Sequence, residues 1–160
     1  MPAPLLPGAT LHLELLAKMA LAVALGGLVG LEREWRGKPS GLRTNILICA
    51  ATVLFAEISQ RAAAHGGDPT RIAAQVLTGV GFLGAGTILH HNDSVTGLTS
   101  AATIWMVTAI GLTLGFGGYL DAMGATVLVL LVLSSVPVVE GWIRRRRPPA
   151  PAGQPHAPPE

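Results

Sequence analysis

Three short polar segments hold the residues whose types could do chemistry. GLERE carries Glu32, Arg33 and Glu34, GLRTN carries Arg43, Thr44 and Asn45, and GLTSAAT carries Thr99 and Ser100. Glu32 and Glu34 are the candidates for a divalent cation, because Mg2+ takes one or two carboxylates and keeps several of its waters. Local pairing competes with that chemistry. Arg43 could pair with Glu32 or Glu34 across the intervening loop, and exposed ion pairs of this kind contribute about 0–1 kcal/mol. Spacing alone favours ion pairing over metal binding, and Arg43 reads equally as a structural clamp or a functional gate.

Other polar motifs carry less. His90 and His91 are adjacent and cannot share a helix face, and no third imidazole lies nearby, so HHND is a poor transition-metal site. Gly79, Gly81 and Gly84 spell G-x-G-x-x-G, but inside an apolar run without the strand–turn–helix setting of a dinucleotide site. Their physical role is close helix packing, shared with Gly86 and with the GxxxG pairs Gly26/Gly30 and Gly111/Gly115. Glu14 and Lys18 stand four residues apart and can pair on one helix face. Glu57 is expected near a helix end, where it reaches water. Gln75, Thr78, Thr103 and Thr108 could line a polar path or bond across helices. No nucleophile–base pair, ligand set or phosphate loop stands out, so an enzyme is not expected.

The elements that position these residues follow from composition. Of 160 residues, half are hydrophobic and 12% are charged, with a mean hydropathy of +0.53. A soluble domain carries about 25% charged residues, so the chain reads as a membrane protein. One cysteine, Cys49, excludes a disulfide framework, and 4% aromatics argue against a nucleic-acid surface. The N-terminus lacks a basic segment and does not read as a cleaved signal. Five stretches approach the ~20 residues a spanning helix needs: 13–31, 42–59, 72–89, 98–119 and 120–139, the last two with a soft boundary. Residues 1–12 read as a short leading segment, 13–143 as the membrane domain, and 144–160 as a basic, then Pro-rich disordered cytoplasmic tail.

Charge sets the expected orientation. Arg33, Arg36, Lys38, Arg43 and the arginines at 144–147 make eight basic residues on one side, against Arg61 and Arg71 on the other. The positive side is the cytoplasmic one. An all-α bundle of about five transmembrane helices follows, with the N-terminus outside and the C-terminus inside. All three polar segments and HHND (90–93) then gather at the inner face, so the Asn92-Asp93-Ser94 sequon falls inside and is discarded. An offset of 56 residues aligns Gly30 with Gly86, Gly41 with Gly97, Ile48 with Ile104 and Thr52 with Thr108, which suggests two parallel hairpin repeats.

In order and spacing, GLVGLERE (27–34), GLRTN (41–45), RIAAQVLTGVGFLGAGTIL (71–89) and GLTSAATIWMVTAIGL (97–112) resemble the MgtC/SapB family of bacterial inner-membrane proteins. The resemblance covers roughly 21–139. It implies a multi-pass plasma-membrane protein linked to magnesium homeostasis, with Mg2+ as ligand or substrate and no resident cofactor. Family members are named as Mg2+ transporters, while the best-known ones act as regulators of partner membrane proteins such as the F-type ATP synthase, supporting growth in low Mg2+ and inside macrophages. Those members carry a soluble C-terminal domain, whereas the Arg run and Pro-rich tail follow 139 here, as in the shorter SapB-type members. The resemblance points to Glu32, Glu34, Arg43, Thr44, Asn45, Thr99 and Ser100 as site residues. Transport and regulation both stay open, the expected partners being the bilayer and a second membrane protein or further copies of the chain, with no nucleic acid.

Overall fold

The computed structural model describes residues 7–64, 66–91 and 94–146; the expected tail beyond 146, the first six residues, Asn92 and Asp93 lie outside the described residues. Five helices form: α1 (Pro7–Trp35), α2 (Leu42–Ala64), α3 (Arg71–Ala85), α4 (Leu98–Gly115) and α5 (Tyr119–Arg146). Between α3 and α4 a two-stranded antiparallel hairpin pairs β1 (Leu89–His91) with β2 (Ser94–Thr96). Leu13–Trp35, Leu42–Ala64, Leu98–Gly115 and Tyr119–Ile143 are long and apolar enough to cross a bilayer, and α3 is apolar but shorter. The all-α membrane bundle expected from the sequence is the observed fold.

Glycine geometry places the helix ends. Gly37 has φ of 61°, its N–H bonds Glu34 O at 3.0 Å and the Lys38 N–H bonds Arg33 O at 3.0 Å. That is a Schellman ending, which satisfies the last carbonyls of α1. Gly117, at φ of 90°, closes α4 in the same way and fixes the soft boundary, so that Tyr119 opens α5.

Residue spacing along α1 makes a single inner face. Among its described side chains Lys18, Ala22, Leu25, Gly26, Val29, Gly30 and Arg33 are buried, recurring with the helical period. Gly26 and Gly30 let α2 approach. A Cβ on Gly26 would sit 2.7 Å from Asn45 O, and one on Gly30 2.7 Å from Leu42 Cα. On α4, a Cβ at Gly111 would meet Thr52 Oγ1 and Cys49 O, and one at Gly115 would meet the Ala56 Cβ. Cys49 therefore touches both Gly26 and the Gly111 region, and α2 lies between α1 and α4. The paired order of these contacts makes α1 antiparallel and α4 parallel to α2. The chain between α2 and α4 must then return along the bundle, which α3 and the following segment do.

The expected span 72–89 ends early. The α3 helix stops at Ala85, where the Thr87 hydroxyl bonds Gly84 O at 2.8 Å and the Ile88 N–H bonds Ala85 O at 3.0 Å, and the hairpin takes over at Leu89. Fifteen residues cover about 22 Å, less than a ~30 Å hydrocarbon core. Gly79 and Gly81, expected to pack, face open space; a Cβ on Gly84 would lie 3.7 Å from Ala101, and Gly86 follows the helix and meets only its last turn. At the other end of the chain α5 runs past 139 to Arg146, despite Pro137. It buries Ala122, Thr126, Val129 and Leu133, half-buries Ala125 and Leu130, and exposes most of its other apolar side chains. In a bilayer that exposed surface meets lipid, which removes the cost water would impose.

The core is an apolar layer of Val29, Ile48, Val53, Ile104, Val107, Ile110 and Leu114. Its hydroxyls turn back on their own helices: Thr52 to Ile48 O at 2.9 Å, Thr103 to Thr99 O at 2.8 Å and Thr108 to Ile104 O at 2.8 Å. Thr52 and Thr108 occupy equivalent positions of the suspected repeat and make equivalent bonds. The first helices of the two halves diverge, since Gly30 is inside α1 and Gly86 is beyond α3.

Candidate functional site

The end of the bundle that carries the α1–α2 loop collects most of the expected residues. Arg33 is on the inner face of α1 and only 4% exposed. Its Nη2 donates to Ser100 Oγ at 2.8 Å, tying the end of α1 to the first turn of α4. Its Nε has no partner among the described residues. Asn45 is fully buried in the first turn of α2. Its Nδ2 donates to Ser40 O at 2.6 Å and Gly41 O at 2.9 Å, and its Oδ1 lacks a partner. Buried polar atoms are nearly always bonded, so these orphaned groups mark an incomplete network.

The two glutamates part company. Glu32 Oε1 pairs with Arg36 Nε at 2.5 Å, and Arg36 reaches Ser134 O of α5 at 3.5 Å, whereas Glu32 Oε2 is buried without a partner. Glu34 turns the other way, and its Oε2 accepts the Leu42 N–H at 3.0 Å, capping the start of α2. The expected Arg43 pairing is corrected: Arg43 makes no ion pair with Glu32 or Glu34, because Arg36 and the Leu42 amide already hold them. Arg43 and Thr44 are exposed and edge a cavity, and Thr99 is exposed as well. Among the described residues no three His, Cys, Asp or Glu side chains converge as metal ligands. The Glu32 carboxylate pairs with Arg36 and the Glu34 carboxylate accepts the Leu42 amide.

A second polar cluster, at the opposite end, escapes sequence reasoning in part. Lys18 pairs with Glu14 at 3.0 Å, as the four-residue spacing implies. It also reaches Glu57 Oε2 of α2 at 3.3 Å and Gly115 O at the end of α4 at 3.3 Å. Gln60 donates to the same Gly115 oxygen at 2.8 Å. Glu57 is therefore buried and paired, not reaching for water, with 8% exposure. The available signal was helical phase, since Lys18 and Arg33 lie 15 residues apart on the same face of α1.

Residues 19–142 match the family model described as the MgtC family. The chain belongs to the MgtC family. It is similar to YhiD of Escherichia coli K12, named as a candidate magnesium transporter, at 46% identity over 127 residues, 75% of this chain and 59% of that protein. It is similar to SapB of Bacillus subtilis at 37% identity over 83% of this chain and 59% of that protein. MgtC of Salmonella typhimurium is 42% identical over 68% of this chain and 46% of its own length. The chain thus spans about three fifths or less of these relatives' lengths. No solved structure matches it. The MgtC-family segment takes in all of the GLERE, GLRTN and GLTSAAT residues and Glu57, and it begins one residue after Lys18. With four long apolar helices and these relatives, the chain is a multi-pass protein of the bacterial inner membrane.

Proposed function

We propose that this MgtC-family chain serves magnesium homeostasis as a membrane-embedded regulator that engages another membrane protein, with the α1–α2 loop end facing the cytoplasm. The observation that carries this reading is the apolar core between the two polar ends. Val29, Ile48, Val53, Ile104, Val107, Ile110 and Leu114 occupy it, and its threonine hydroxyls are committed to their own helix carbonyls. Mg2+ dehydrates reluctantly and needs oxygen ligands or water along its route, and this layer presents apolar side chains instead. The unpaired groups at the loop end, Arg33 Nε, Asn45 Oδ1 and Glu32 Oε2, are suited to a partner's polar side chains. The orientation rests on the sequence's basic residues, Arg33, Arg36, Lys38, Arg43 and the arginines at 144–147, against Lys18, Arg61 and Arg71.

Mg2+ transport is the second reading. YhiD's name favours it, and so does the orphaned carboxylate oxygen of Glu32, which could accept from a water of a hydrated ion at the loop end. Flux into liposomes holding the purified protein separates the two, with a Glu32→Ala/Glu34→Ala variant alongside. Absence of flux from folded, reconstituted protein that still restores growth of a deletion strain in low Mg2+ is the result expected here. Protein-dependent Mg2+ flux lost in the variant would overturn the regulator reading and establish transport.

A further inference from the structure

Two cavities lie side by side between α2 and α3. One, of about 400 Å³, is walled by residues including Phe55, Val76 and Gly79. The other, of about 500 Å³, opens at Ser40, Arg43 and Thr44. Ile48 and Leu83 stand in the walls of both, so the two spaces form one crevice along α2. From Thr44 to Phe55 the crevice follows eleven residues of helix, about 16 Å. That is about half of a ~30 Å hydrocarbon core, the depth of one leaflet and hence the reach of one acyl chain.

The crevice exists because α3 does not fill it. Gly79 has no side chain, and a Cβ built there would meet nothing within 4 Å. The walls are mostly aliphatic and aromatic, with Thr52, Gln75 and Thr87 as polar residues along them, and the charged group stands at the mouth. There Arg43 is exposed, and it makes no ion pair or hydrogen bond among the described residues. The Thr44 hydroxyl beside it is likewise unbonded. Glu34, which lines a neighbouring cavity together with Arg43, is engaged with the Leu42 amide. An unpaired guanidinium and a free hydroxyl above an apolar slot one leaflet deep complement an anionic head joined to a hydrocarbon chain.

We propose that the α2–α3 crevice binds one anionic phospholipid, its phosphate on Arg43 and Thr44 and one acyl chain laid along Ile48, Phe55, Val76 and Leu83. This inference is independent of whether the protein regulates or transports. Guanidinium is suited to the role because it donates two parallel N–H bonds to a phosphate.

The test uses the full chain purified in detergent and titrated with phosphatidylglycerol, phosphatidylcholine or inorganic phosphate, with bound lipid counted by native mass spectrometry. One phosphatidylglycerol per chain is expected, held more tightly than phosphatidylcholine. Arg43→Gln should weaken phosphatidylglycerol about fivefold, the share of one cation at a membrane surface, and leave phosphatidylcholine unchanged. Gly79→Leu should abolish retention of both lipids by filling the slot, without altering the melting temperature of the lipid-free protein. Equal binding of the two lipids with no effect of Arg43→Gln overturns the proposal. So does full competition by inorganic phosphate, unchanged lipid count in Gly79→Leu, or cross-linking that shows the crevice occupied by a helix of a second copy.

Discussion

The two ends of α1's inner face each bury a cation, and the two cations are treated differently. Lys18 is surrounded: Glu14, Glu57 and the Gly115 carbonyl all lie within 3.3 Å of its ammonium. Arg33, about 22 Å along the same helix by its fifteen-residue separation, has one bond to Ser100 and an orphaned Nε, with Asn45 Oδ1 and Glu32 Oε2 also unmatched at that end. A completed polar network rigidifies what it touches, and an incomplete one is costly unless something else completes it. The Lys18 end therefore behaves as a clamp on α1, α2 and α4, while the Arg33 end keeps donors and acceptors in hand for a partner, water or an alternative arrangement.

Breaking the clamp gives the largest expected loss of stability. Lys18→Met leaves the Glu57 carboxylate buried, with Arg61 at 3.9 Å as its remaining cation. Removing one partner of a buried pair costs about 3–5 kcal/mol. Chemical or thermal unfolding of the purified protein should show that loss, and Lys18→Met/Glu57→Leu should recover most of it. A single variant as stable as the parent would mean the pair is wet and the contrast between the two ends is false.

Arg33→Met should cost less stability and more function. One charge-assisted hydrogen bond is lost, about 1.5–3 kcal/mol, and an incomplete network is removed with it. Ser100→Ala should reproduce part of the stability loss, because it orphans a further guanidinium nitrogen. Growth in low Mg2+ should fail in Arg33→Met while membrane insertion persists. If Lys18→Met instead abolishes that growth at a temperature where it remains folded, and Arg33→Met does not, the assignment of clamp and site must be exchanged.

How far the sequence revealed this arrangement depended on distance along the chain. Gly26/Gly30 and Gly111/Gly115 were legible as packing positions, because small residues one turn apart in an apolar helix permit close approach. Gly79 and Gly81 looked identical by that rule, yet both face open space and Gly79 borders the crevice, since the rule cannot say which neighbour is present. The Glu14–Lys18 pair was local and legible. The Lys18–Glu57 and Arg33–Ser100 contacts cross 39 and 67 residues and depend on how the helices are rotated, which composition does not encode. The end of α3 was hidden as well, because Gly84–Gly86 and Thr87–Leu89 are apolar enough to count toward a span whether helical or not. The Arg43–glutamate pairing that sequence proximity allows does not form, because the Glu32 and Glu34 oxygens already have donors.

At the loop end, Glu34→Ala and Arg43→Ala should separate structure from function by their small structural effects. Glu34 caps the first amide of α2, and losing a cap of this kind costs about 1 kcal/mol. Arg43 is exposed and has no partner among the described residues, so its replacement should leave the melting temperature unchanged. Both should nevertheless impair growth in low Mg2+, with protein levels in the membrane preserved. Normal growth of both would confine the working part of this end to the buried Arg33, Asn45 and Ser100.

The smallest expected effect lies at the clamp end, in the loop between α2 and α3. There the Asp68 carboxyl is held below its ordinary value, first by the Thr70 backbone N–H at 2.8 Å and then by the Thr70 hydroxyl at 2.7 Å. The Ser59 hydroxyl donates to Pro69 O and anchors the same loop to α2. A carboxyl whose value is lowered by folding contributes stability above its unfolded value, and that contribution disappears as pH falls through the lowered folded value. Acidification from neutral pH should thus leave the loop unchanged until the ordinary aspartate range near ~4, and loosen it below. Hydrogen exchange at the Thr70 amide, corrected for the intrinsic rate, should accelerate in that window, and Asp68→Asn should remove the pH dependence. The anchoring Ser59–Pro69 bond contains no titrating group, so the loop should stay seated while its turn opens. A Thr70 amide that exchanges at a constant corrected rate from neutral pH to below 3 would show that the turn, like the unpaired groups at the far end, is not held by the contact it displays.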